Sequence, residues 1–387
     1  MAIYKDRKVL RTKLCDTLEI EYPIFLAGMG TVSGPTLAAA VSNAGGLGVL
    51  GAIDLEPEEL RAWIRQTKTL TDKPFGVDTI FVKQLPEKRS MEEAREDIPS
   101  DAIDFVNKMG REIGAPDTDG RPGIRVISRE VIEQQFQVVL EEGVPVLVSA
   151  LGNPGWLIDE AHAHGIKMLG LVGNVKEARD LVDVGVDIII AQGHEAGGHT
   201  GRIGTLALIP QVVDAVSPVP VLAAGGIADG RGMAAALALG AAGVWCGTAF
   251  VASHEACVDH VRLGLRDQWE IDLWKERLLK ATEDDTAITR VISGKTLRNI
   301  RNKFTDKWQQ SEGPILKKFP LQNMLVSKVE AMVRKGQLSD YLLWSPVGQI
   351  AGMITELKNC QQIVEDMVAE AIEILAEKLR RDVDIGQ

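Results

Sequence analysis

Eight short, nearly unbroken apolar runs recur through roughly the first 250 residues, each followed by a helical pattern. They are Tyr22–Ala27, Leu47–Ala52, Phe75–Phe81, Val144–Leu151, Lys167–Val172, Val186–Ile190, Val219–Ile227 and Gly243–Thr248. Runs of this kind mark parallel strands buried on both faces, because a half-solvated strand would alternate. The segments between them read as helices: Pro35–Asn43, Glu56–Lys68, Arg129–Glu142, Trp156–His164, Val175–Val184, Leu206–Val216 and Arg231–Leu239. Eight such units predict a (β/α)₈ TIM barrel. A doubly wound open sheet would carry its glycine fingerprint after the first strand. Here the richest loops follow strands six, seven and eight.

The rhythm breaks after the third strand, where residues 84–128 are polar, charged and rich in Pro and Gly, with one helix expected around Ser100 to Met109. An insertion this long at a strand end reads as a lid or an oligomer contact. After Phe250 the repeat stops. The expected division is a barrel over 1–254, a smaller and mostly helical domain over 255–355 leaning on the barrel mouth, and a C-terminal helix within 356–387. The basic stretch 295–303 could face a phosphate-bearing substrate, but reads first as a solvated face.

The net charge of −11 argues against nucleic-acid or anionic-membrane partners. It leaves room for a small anionic ligand held by backbone N–H groups. Cys15, Cys246, Cys257 and Cys360 are scattered without a CxxC pair, which fits a reducing cytosol. The N-terminus reads as neither signal peptide nor membrane span. A homodimer is the expected assembly, since barrels with exposed helices often pair.

The sixth strand delivers the densest loop, from Ala191 to Gly201, which carries Gln192, His194, Glu195, Gly197, Gly198 and His199. The two histidines stand five apart and the glycines oppose a helix, so this is not a zinc-protease motif and no metal is expected. Gly225 and Gly226 end the seventh strand; Trp245, Cys246, Gly247 and Thr248 end the eighth. These are the positions at which barrels of this type bind phosphate. A mononucleotide such as FMN would suit them, with Gly197 and Gly198 giving backbone access and Gln192 a polar contact. An imidazole there could take a proton from substrate carbon or steady an anion. His199 and His194 are the candidates. His254 and His260 read as structural, and His162 and His164 as surface residues.

Tyr22–Met29, Gly45–Gly48, Phe75–Val77, Gly193–His199, Ala223–Asp229 and Gly247–Thr248 occur in that order. Together they resemble the nitronate monooxygenase (2-nitropropane dioxygenase) family of FMN-dependent (β/α)₈ enzymes, over about residues 10–355. That family also contains FMN-dependent enoyl-thioester reductases and relatives acting on acyl-CoA. The resemblance implies His199 as the catalytic histidine. It puts Met29, Gln192, Gly197, Gly226 and Trp245–Thr248 around FMN. It implies O₂ and a nitronate, or an acyl thioester, as the small-molecule partners. Where many members have asparagine after the third strand, this chain has Asp78, and a carboxylate there would oppose an anionic reduced flavin.

Overall fold

The computed structural model describes residues 9–82, 96–118, 128–318 and 320–383. Its centre is a parallel eight-stranded sheet: β1 (Ile24–Leu26), β2 (Gly48–Gly51), β3 (Phe75–Phe81), β4 (Val146–Gly152), β5 (Lys167–Val172), β6 (Ile188–Gln192), β8 (Val221–Ala224) and β9 (Gly243–Cys246). The two-residue strand β7 (Gly198–His199) lies outside it. The strand order β1-β9-β8-β6-β5-β4-β3-β2 curls the sheet round on itself. A parallel bridge between Phe25 and Leu47 joins the first strand to the second. The fold is a TIM barrel, with β3 and β5 as read from sequence and the other strand ends shifted by no more than about three residues; β4 and β6 run on past the predicted ends.

Side chains alternate across the barrel wall, except at the end of β3, where the register shifts between Thr79 and Ile80 and both Ile80 and Phe81 pack outward. Phe25, Val49, Val146, Val148, Leu169, Ile188, Ile190, Leu222, Ala224 and Trp245 fill its interior. Ile24, Leu26, Leu50, Val77, Leu147, Ile189, Ala223 and Val244 pack outward against the helices. Both faces are therefore dry, which is why the strands read as unbroken apolar runs. The lead-in segment has a definite role. A short helix, Lys13–Thr17, sends Leu14 and Cys15 into the inner core, followed by Leu18 and Ile20. Thr12 Oγ1 donates to Ala242 O at 2.7 Å, so this plug sits at the N-terminal ends of the strands. The opposite end is left for chemistry.

The helix Cys360–Glu373 buries Val364, Met367, Val368 and Ala371 in the outer core. It lies against the helix Gly230–Ala238 so closely that a Cβ at Gly230 would run into the Ala371 backbone.

A second core sits apart from the barrel. The helix Ser100–Glu112 contributes Ala102, Val106 and Met109, and later segments contribute Val291, Leu297, Phe304, Trp308, Leu325, Val329 and Leu343. The inserted helix therefore belongs to the same packed unit as residues 291–343. Residues 84–95 and 119–127 of the insertion, including most of the Asp117–Gly123 stretch, lie outside the described residues.

Besides its helices, the 255–355 region holds two short strands that the sequence reading did not include. β10 (Thr286–Thr289) and β11 (Leu297–Ile300) form an antiparallel pair, and β7 joins as the third strand. The register sets Leu297 opposite His199 and Arg298 opposite Gly198. The stretch 295–303 is thus not a solvated face: Leu297, Arg298, Asn299 and Ile300 are buried. Only non-local pairing makes this segment a strand, so its charged composition misled the sequence reading.

Candidate active site

A cavity of about 1490 Å³ opens at the C-terminal ends of the barrel strands and is roofed by the second core. Among the expected site residues Met29, Asp78, Gln192, Gly197, Gly198, His199, Gly225, Gly226, Trp245, Cys246, Gly247 and Thr248 all line it. His194 does not border it: its Nδ1 engages Gly201 O at 3.0 Å, and its carbonyl accepts from Thr200 and Arg298. The two histidines of the loop therefore separate by geometry, His194 into the scaffold and His199 into the cavity.

His199 is held from three directions. Its backbone pairs with Leu297 of β11, Gln192 Nε2 donates to its carbonyl at 2.6 Å, and its Nε2 meets Ser293 Oγ at 2.8 Å. The residue is exposed on the cavity. Burial, with the nearby charge of Lys295, brings its imidazole down to about 4. It is therefore neutral at pH 7 and can accept a proton or a hydrogen bond. Ser293 and Lys295 were not singled out as site residues from sequence. Lys295 lines the cavity, and burial lowers its ammonium below the usual lysine value. The one sequence signal for this pair was the basic Ser-Gly-Lys-Thr stretch, whose direction depends on the β7–β11 pairing.

The loop that carries His199 is braced by buried charge. Arg298, 4% exposed, donates to Thr286 Oγ1 and to His194 O. Glu195 accepts from Thr205 N and Oγ1, tying the loop to the helix Thr205–Val216. Gly197 lets the backbone of Val347 approach, since a Cβ there would lie 2.5 Å from the Val347 carbonyl carbon. Its lack of a side chain thus serves contact between the two cores as well as access to the cavity.

The ends of β8 and β9 offer an anion cradle. Gly225 and Gly226 adopt φ of +87° and +78°, which side chains resist. The backbone N–H groups of Gly226, Gly247 and Thr248 have no acceptor among the described residues. Thr248 Oγ1 accepts from Gly348 N at 2.8 Å and keeps its own proton to donate. Donors of this kind fit a phosphate. On the floor, buried Ser33 shapes the 27–33 loop by donating to Ala27 O and accepting from Met29 N. His260, which reads as structural from sequence, borders the cavity too; its Nε2 meets Gly30 O at 3.0 Å.

A family model described as nitronate monooxygenase matches residues 11–370. The chain belongs to the nitronate monooxygenase family. A "probable nitronate monooxygenase" of Staphylococcus saprophyticus is 33% identical, the match covering 95% of this chain and 99% of that protein. Two solved structures are similar over nearly the whole chain. FabK from Thermotoga maritima is 35% identical with a TM-score of 0.72, covering 97% of this chain and 100% of its own. The nitroalkane oxidase of Streptomyces ansochromogenes is 29% identical with a TM-score of 0.74, covering 93% and 98%. Membership in the nitronate monooxygenase family makes this protein an oxidoreductase, and the family's enzymes are flavin-dependent. Among the described residues no helix is long and apolar enough to cross a membrane.

Proposed function

We propose that this protein uses FMN and O₂ to oxidise alkyl nitronates, with a carbonyl compound and nitrite as products. The observation that carries this reading is a neutral, oriented imidazole, His199, in the same cavity as an unfilled set of backbone donors. Gly225, Gly226, Gly247 and Thr248 would hold the FMN phosphate, and Met29, Asp78, Gln192, Gly197, Gly198, Trp245 and Cys246 would line the remainder of its site. Bound FMN would supply the electron acceptance and the subsequent reaction with O₂. His199 would take the α-proton of a neutral nitroalkane or steady a nitronate anion by hydrogen bonding, and Ser293 would fix its ring. The substrate would lie under the second core. Four buried, free thiols suit work in a reducing compartment.

A second reading is favoured by the cavity's size. Pockets for drug-sized ligands span about 300–1,000 Å³, and this one is larger. That leaves room for an acyl thioester, to be reduced at the expense of NAD(P)H as in the family's enoyl-thioester reductases. One pair of assays separates the two. Oxygen uptake and nitrite release with propionate 3-nitronate in air support the first. Anaerobic bleaching of the flavin by NADPH, without nitronate turnover, would replace it by the second.

A further inference from the structure

The cavity floor holds an ionisable group that has no counter-charge. Asp78, in the middle of β3, pairs in register with Gly51 of β2 and Val148 of β4. Its side chain turns inward, to the side that Val148 fills, and borders the cavity. It is 4% exposed, and Oδ1 is buried with no hydrogen-bond partner among the described residues. The carboxyl lies hard against Gly28, where a Cβ would overlap it. The elements around it bring no charge: Gly51 ends β2 and Ala52 follows it, Val146, Val148 and Ala150 belong to β4, and Ala27–Gly30 form the adjoining loop. Burial is the main influence on the group, moderated by the backbone of Ala150, and it pushes the carboxyl well above the usual range. The cavity's other titratable groups, His199 and Lys295 among them, sit on other elements and have no resolved influence on it.

An ionised carboxylate in such a place would cost several kcal/mol without a partner. A protonated one still leaves a buried donor to satisfy, and the cavity is the side open to it. We propose that Asp78 stands in the barrel floor as a neutral carboxylic acid and donates its O–H to an acceptor atom of the bound flavin. This rests on the FMN reading above. It replaces the like-charge opposition inferred from sequence with a hydrogen bond. It also makes Asp78 a cofactor-binding donor that asparagine can imitate and alanine cannot.

Two measurements on the flavin-free protein test this without any turnover. The first is the infrared difference between wild type and Asp78→Asn near neutral pH, with and without FMN. A protonated-carboxyl C=O band present only in the wild type, and displaced when FMN is added, is expected. Absence of that band, or a band unmoved by FMN, overturns the proposal. The second is FMN affinity by fluorescence quenching. Asp78→Ala should weaken binding about three- to tenfold, the worth of one buried hydrogen bond, and Asp78→Asn should stay within about threefold of wild type. Equal binding by Asp78→Ala, or collapse of binding in a folded Asp78→Asn protein, overturns it. Failure of the wild type itself to take up FMN would instead remove the cofactor reading, and this inference with it.

Discussion

Burial acts on His199 and Asp78 in one direction, toward neutrality, and so makes one an acceptor and the other a donor. For His199 this sets a pH dependence. The imidazole titrates at about 4 in the free protein, so the proton-accepting form is present above that value and is lost as pH falls through it. Turnover of a neutral nitroalkane should therefore fall on the acid side with that apparent pKa and lie flat toward neutrality. His199→Ala should retain the fold and flavin yet lower kcat/KM for a neutral nitroalkane by about 10²–10⁴, the usual worth of a general base. It should lose less with a preformed nitronate, which has no α-proton to surrender. Equal losses on both substrates would deny His199 the proton transfer. For Asp78 the consequence is stability. Its folded pKa is raised above the unfolded value of about 3.9. Between the two values the unfolded chain gives up a proton that the fold retains. Stability from this group is fully present below about pH 4 and declines by about 1.4 kcal/mol per pH unit above it, up to the folded pKa. Asp78→Asn abolishes that slope. The flavin-free variant should gain on wild type in urea unfolding as pH rises from 5 to 7, and a constant difference would mean that Asp78 is ionised in the fold.

The elements of the barrel were legible in the sequence and the sheet that aims His199 was not, for a physical reason. Each barrel strand is buried on both faces, so its apolar run is a property of the segment alone. β7 is two residues long and gains its identity from Leu297 and Arg298, about a hundred positions away. Arg298 is charged yet buried, with its two terminal nitrogens held by Thr286 and the carbonyl of His194 and its Nε without a partner among the described residues, and no local pattern announces that. The glycine loops were read as openings toward a ligand. Gly197 and Gly348 additionally let two backbones cross. A Cβ at Gly348 would stand 2.6 Å from Glu195 O and 3.1 Å from Gly197 N. The same segment donates from Gly348 N to Thr248 Oγ1 and from Gln349 N to Glu195 O. Gly348→Ala should therefore force the 346–349 segment away from the His199 loop. The expected cost is about 1–3 kcal/mol, as for other overpacked sites, together with a fall in kcat in protein that remains folded at 25 °C. An unchanged denaturation midpoint with full activity would show that the crossing is slack.

At the scale of the whole molecule, the two cores divide the work between a closed base and an enclosed mouth. The barrel is plugged at one end by residues 14–20 and opens at the other into the large cavity. The roof is a separate core, so its walls can differ in length and polarity without disturbing the strands that carry the site. Part of that roof is apolar: Ile292, Val326, Ala331, Leu343 and Pro346 border the cavity. A ligand in contact with them gains from each methylene it buries, up to about 0.8 kcal/mol, or about fourfold in kcat/KM where the contact persists in the transition state. The series from ethyl to hexyl nitronate should therefore rise in kcat/KM, or at least hold level, and most of the change should be in KM. Steady-state oxygen consumption across that series is the measurement. A steep fall with chain length would mean that the roofed chamber is closed to substrate, and it would weigh against a long acyl chain in the same space.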